Sequence, residues 1–268
     1  MKKTDALTAI GLLAGVLLLG VSMATGDGGI KIFWSASSIA ITIGGSLAAV
    51  CMTYPMDTFK KFGTLIGQAF KEEQNSTKEV ITQFADLSKK ARREGLLSLE
   101  DEINQLEDKF LKKGLQMVVD GIEPETIKEI LDLEIQAMDE RHSKGAGMFT
   151  TWGGYAPGFG MLGTLIGLIQ MLQNLSDAST IASGMGTALI TTFYGSLLAN
   201  LFANPIGANL AKKNEQEIGM KEMMVEGILA IQSGVNPRIV EEKLITYLEP
   251  AERLKYLESN SENSEGVA

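Results

Sequence analysis

The chain has 268 residues, a formal net charge of −9 and a mean hydropathy of +0.09. The acidic balance argues against nucleic acid as a partner, and a single cysteine, Cys51, rules out an intrachain disulfide. The near-neutral hydropathy averages two unlike kinds of sequence, long uncharged runs and a strongly charged remainder.

The first elements are two uncharged runs, residues 6–26 and 32–56, with no Asp, Glu, Lys, Arg or His. A helix of roughly 20 residues crosses the hydrocarbon core, so residues 1–56 are predicted to form two membrane spans. Met1-Lys2-Lys3 before an apolar run resembles a signal peptide. The run reaches full span length and a second follows at once, which predicts a retained helix. Cys51 is expected to pack within the second span.

Residues 57–147 form a charged block that reads as helical. Val80, Ile81, Phe84 and Leu87 recur at helical spacing over 78–91. Ser98-Leu99-Glu100-Asp101 is a capping-box candidate for a helix presenting Ile103, Leu106, Phe110 and Leu111. Asp120-Gly121 breaks that helix, and Pro124 opens another that runs on toward the next span. Residues 148–211 carry spans three and four, inside the uncharged stretches 145–176 and 178–211. Residues 212–258 return to charged, amphipathic helix, with Asn236-Pro237 opening a short one. The polar, acidic end, 259–268, is expected to lack fixed structure. The soluble parts look too thin for a large core of their own.

Of 24 Lys and Arg residues, only Lys31 falls on the far side of this arrangement. The positive-inside rule then puts both termini and the charged block in the cytoplasm. The predicted fold is all-α and integral to the membrane, with four spans and a helical cytoplasmic domain.

No Walker loop, metal-ligand set or nucleophile–base pair is present, so no enzyme, cofactor or metal site is expected. Intramembrane carboxylates mark ion pathways. Here the spans have none, so an ion-moving complex would need that group from another chain. Each remaining feature has two readings. Thr164, Thr191 and Thr192 either bond back to carbonyls one turn earlier or line a pore with oxygens for a partly dehydrated cation. Pro157 and Pro205 are static bends or moving hinges. Gly158, Gly160, Gly163, Gly167, Gly184, Gly186 and Gly195 allow close helix approach. Arg92, Arg93 and Glu100 belong to adjacent clusters of opposite charge, either solvated or a docking surface.

Three motifs carry a family likeness. Arg92-Arg93-Glu94-Gly95-Leu96-Leu97-Ser98-Leu99-Glu100, Ala156-Pro157-Gly158-Phe159-Gly160-Met161-Leu162-Gly163-Thr164 and Thr191-Thr192-Phe193-Tyr194-Gly195 through Asn204-Pro205-Ile206 resemble the motility protein A (MotA) family of flagellar motor stator subunits. The likeness covers nearly the whole chain. It implies a ring, a pentamer around two copies of a single-span MotB-type partner that is anchored to peptidoglycan and supplies the ion-binding aspartate. It places the complex in the bacterial inner membrane, among lipid, with proton or sodium flow driving the rotor protein FliG. By motif position, Arg92 and Glu100, with Arg93 beside them, match rotor-facing charges. Pro157 and Pro205 match the family's membrane prolines, and Thr192 a pore-facing threonine. Thr164 with the Thr191-Thr192 pair points toward the sodium-driven branch (PomA, MotP). The alternatives are an ExbB/TolQ-like subunit of another ion-driven complex, or a non-conducting membrane scaffold.

Overall fold

The computed structural model describes residues 6–26, 29–71, 76–173, 176 and 178–265. Met1-Lys2-Lys3, the turn at Asp177 and residues 266–268 lie outside the described residues. Among the described residues the regular elements are all helices. In chain order they are α1 (Ala6–Ala24), α2 (Ala36–Thr53), α3 (Phe62–Ala69), α4 (Thr77–Glu94), α5 (Glu100–Gln105), α6 (Lys109–Val119), α7 (Pro124–Leu172), α8 (residues 178–232), α9 (Pro237–Leu244) and α10 (Pro250–Glu265). Four of them, α1, α2, α7 and α8, are long and apolar enough to cross a membrane. The chain divides into two compact units, residues 1–72 with 141–213, and residues 73–140 with 214–268.

In the first unit, α1 buries none of its 19 residues against its own chain. Its side chains Leu7, Leu13, Leu17 and Leu18 stand exposed, as expected of a helix whose solvent is lipid. α2 starts at Ser35, whose hydroxyl accepts from the Ser38 N–H. It contains one wide π turn at Ala40–Gly44. Cys51, expected to pack, is exposed on the outer face of this helix. α3 turns its apolar side onto α7, with the Phe62 ring 4.8 Å from Phe149 and 5.4 Å from Trp152. Its C-terminal carbonyls have no partners in their own helix. The Lys213 ammonium donates to two of them, on Gln68 (3.3 Å) and Ala69 (2.7 Å), and to the Lys71 carbonyl just beyond the helix (2.6 Å). A cation at a helix C-terminus also meets the favourable end of the macrodipole.

The second unit corrects two expectations. Ser98 does not cap a helix; its hydroxyl donates to the Gly95 carbonyl. Gly95 takes φ +88°, ends α4 and sends the chain into a short 3₁₀ turn, Leu96–Leu99. The true cap lies further on, at Asp108, whose carboxylate accepts from the N–H groups of Phe110 and Leu111 at 2.8 and 2.9 Å. The core is also larger than expected. α4, α6, the first turns of α7, the last turns of α8 and α9 enclose Phe84, Leu99, Ile103, Leu115, Ile127, Leu131, Met223, Ile228 and Leu244 at no solvent exposure. The reason is that α7 and α8 extend past their uncharged stretches and contribute apolar faces here. Gly121 (φ +74°) ends α6 as predicted, and the Asn236 side chain caps α9 by accepting from Arg238 N–H. α10 continues to Glu265, into the segment expected to lack structure. No proline or glycine follows Pro250 before Gly266, so nothing in the sequence forbids the extra turns.

Candidate ion path in the membrane-spanning unit

α7 and α8 meet along a seam of small residues, and the seam runs antiparallel. A Cβ on Gly167 would lie 2.7 Å from the Gly184 carbonyl oxygen and 2.9 Å from the Ala188 nitrogen. One on Gly195 would lie 2.8 Å from the Ala156 carbonyl oxygen, and one on Gly160 3.2 Å from that of Thr191. Gly163 faces the Thr191 side chain, Gly153 faces Asn204, and Gly207 faces Thr150. At such separations the backbones themselves are in van der Waals contact, which is what holds helices together where lipid removes the hydrophobic drive. Gly158 and Gly186, also singled out in the sequence, have open space beside them and take no part. Gly153 and Gly207 were missed, because spacing within one helix does not reveal which residue of the other lies opposite.

The seam fixes where the threonines point. All three bond back to a carbonyl one turn earlier: Thr164 to Gly160 (3.1 Å), Thr191 to Thr187 (2.6 Å) and Thr192 to Ala188 (3.4 Å). Thr164 and Thr192 do more. Their hydroxyl oxygens lie 2.5 Å apart across the two helices, and Thr164 also reaches the Ala188 carbonyl at 3.0 Å. Thr192 is exposed and Thr164 half-buried, so this pair of oxygens looks out of the chain.

Thr191 is not part of that pair. It is fully buried on a neighbouring face, where its hydroxyl donates to Ser38 of α2 at 3.0 Å and its carbonyl accepts from Thr42 at 3.4 Å. Ser38, Thr42 and Ser46 recur every four residues along α2 and are all fully buried. Ser46 in turn accepts from the Trp152 indole at 3.0 Å. This hydroxyl ladder satisfies polar groups that a dry interior would otherwise penalise. The ring of three hydroxyls therefore resolves into one outward pair and one packing residue.

Two further polar residues share the Thr192 face. Ser196 and Asn200 follow at four-residue spacing, both exposed, and the Asn200 amide donates to the Ser196 carbonyl at 3.0 Å. Polar residues every fourth position in an apolar run were the available signal. The prolines stand on exposed faces, Pro157 inside α7 and Pro205 in α8 just after a π turn at Leu198–Ala203. Each lacks the N–H that the carbonyl four residues earlier would accept.

The predicted charged residues lie in the second unit, all on its surface. Arg92 and Glu100 are exposed and make no ion pair among the described residues; Arg93 approaches Glu94 at 3.8 Å. Nearby, Lys90 donates to Glu102 at 2.8 Å, and this hydrogen bond raises the Lys90 pKa, burial opposing it. Arg93 borders a groove that Asp86, Lys89, Glu102 and Asp108 also line.

Comparison with known proteins accounts for this arrangement. Residues 102–223 match the model of the MotA/TolQ/ExbB proton channel family. Motility protein A of Borreliella burgdorferi is 45% identical over 244 residues, covering 91% of this chain and 94% of that protein. Among solved structures, the Bacillus subtilis flagellar MotAB stator complex superposes with a TM-score of 0.88 at 36% identity, over 94% of this chain and 99% of that one. The C. jejuni MotAB structure gives a TM-score of 0.86 at 27% identity over 92% of this chain and 96% of that one. By its four apolar helices and its match over nearly the full length of these proteins, the chain belongs to the MotA/TolQ/ExbB proton channel family, as a motility protein A member.

Proposed function

We propose that this chain is the ring-forming subunit of a flagellar stator, passing ions across the inner membrane in company with a MotB-type partner and delivering torque to the rotor. The observation that carries the reading is the Thr164–Thr192 pair. It presents two oxygens on an outward face of a unit whose spans hold no carboxylate. Oxygens alone can share in coordinating an ion but cannot take up and release its charge, so the face calls for a partner's acid. The MotAB composition of the two similar structures supports that partner and the oligomer.

Both termini lie in the cytoplasm in this reading, in line with the distribution of basic residues. The ring would hold five copies around two partner copies. Pro157 and Pro205 would act as hinges, and Arg92, Arg93 and Glu100 would face the rotor protein FliG. Exposed charges suit that task, since they orient and speed association more than they tighten it. The Thr164–Thr192 oxygens favour sodium as the coupling ion, since sodium must exchange part of its water shell for other oxygens.

The test is rotation of tethered cells lacking their own stators, expressing this chain with its MotB-type partner, first in sodium and then in potassium medium. Rotation only in sodium is expected; rotation in both would make it proton-driven, and none in either would overturn the stator reading. Thr192→Val should abolish rotation while the complex still assembles. Normal rotation of a well-expressed Thr192→Val protein would remove the hydroxyl from the ion path.

A further inference from the structure

The two membrane prolines each remove a backbone donor from their helix. Pro157 has no N–H for the Gly153 carbonyl, and Pro205 has none for the wide turn that precedes it. Immediately before Pro205, α8 widens into its π turn, and the Asn204 N–H reaches back to Ala199. Single π turns concentrate where a helix must change shape. Asn204 holds helical angles (φ −63°, ψ −45°) although a following proline disfavours them.

The Asn204 side chain crosses the seam to Gly153. Its Oδ1 comes closest to the point a Gly153 Cβ would occupy, with Cγ at 2.6 Å and Nδ2 at 3.1 Å. The amide therefore rests on the one residue of α7 whose carbonyl Pro157 has freed, and only glycine there leaves room for it. Among the described residues the Asn204 side chain has no hydrogen-bond partner. An amide within a membrane-spanning helix is costly to leave unbonded and is a poor helix former besides. A Leu or Ala would fill this position at less cost, so packing alone does not account for it.

We propose that Asn204 is a positioning residue that couples the two proline bends: its amide N–H is the donor that the Gly153 carbonyl takes up when α7 and α8 rearrange during ion passage. A rotation of the side-chain amide about its last bond exchanges Oδ1 for Nδ2 against α7 without moving either backbone. The bond forms in one arrangement of the bends and opens in the other, so a change at Pro205 is felt at Pro157. This rests on the stator reading, and its failure is separable because that reading stands or falls first on rotation of the unaltered chain in the stator-less strain.

In that strain, Asn204→Ala and Asn204→Gln are expressed with the partner subunit, and each chain carries a fluorescent tag. Two quantities are read: the number of units on each motor, and the step in speed at low load as each unit joins. Asn204→Ala is expected to join motors in normal number while its speed per unit falls about fivefold or more, the loss of roughly 1 kcal/mol of coupling. Asn204→Gln keeps a donor on a longer arm and should recover at least half of that loss. An Asn204→Ala unit running at normal speed would overturn the proposal. So would failure of both variants to join motors, since Asn204 would then serve assembly alone.

Discussion

The two units of this chain are packed by opposite means. The second unit encloses whole aliphatic and aromatic side chains, Phe84, Leu111, Leu115, Ile127 and Ile228 among them, in the manner of any water-soluble core. The first has few large buried side chains, and its closest contacts are Gly167 on Gly184, Gly195 on Ala156 and the hydroxyl ladder of α2. The difference follows from the solvent. Water rewards burial of apolar surface, whereas lipid does not distinguish a buried leucine from an exposed one, leaving close contact and hydrogen bonds to hold the helices. Size is thus the stabilising quantity in one unit, and smallness in the other.

Substitutions can break that contrast. The largest loss is expected from Phe84→Ala, which opens a cavity in a fully buried site and should cost about 3–5 kcal/mol. Thermal unfolding of the purified complex would measure it, and a cost below that of an exposed alanine substitution would refute the packed core. In the first unit the damaging change goes the other way. Gly167→Ala improves helix propensity but drives a methyl into the Gly184 and Ala188 backbones, which no rotamer relieves; about 1–3 kcal/mol should be lost in the same assay. Asp108→Ala removes two N-cap bonds and should cost about 1 kcal/mol.

Thr191→Val then sharpens the comparison within the first unit. It should lower stability by about 0.5–1 kcal/mol through the lost Ser38 bond, yet leave sodium-dependent rotation intact. Loss of rotation with unchanged stability would move Thr191 back onto the ion path. The smallest effect is that of pH on the Lys90–Glu102 pair. Because the folded Lys90 pKa is raised, its contribution is complete below the ordinary lysine value of 10.5 and disappears only as pH climbs through the folded value. Stability of Lys90→Met should therefore run parallel to that of the unaltered protein from neutral pH to about 10.

Much of the fold could be read directly from residues. Charge-free runs located the four spans, Pro124 marked the start of α7, and Gly121 and Asn236 marked an end and a beginning. What escaped were the properties of pairs. Thr191 and Thr192 are adjacent in sequence, yet successive helical residues point about 100° apart, so one entered the ladder and the other the outward pair. Ser98 satisfied a local capping pattern, but the φ of +88° at Gly95 starts a 3₁₀ turn in which Ser98 bonds back to Gly95, and α5 begins after it without a side-chain cap. The size of the second core was hidden because Ile127 and Met223 sit on helices whose other halves read as membrane.

One consequence of α1 concerns bilayer thickness. Its 19 residues span about 28 Å, close to a hydrocarbon core of about 30 Å, and its own chain fully buries none of them. A length this close to the core's thickness leaves little hydrophobic mismatch in an ordinary bilayer, so neither helix nor lipid has to adjust much. Thin the bilayer by a few ångströms and α1 gains room to lean; thicken it and the lipid must pinch in around it.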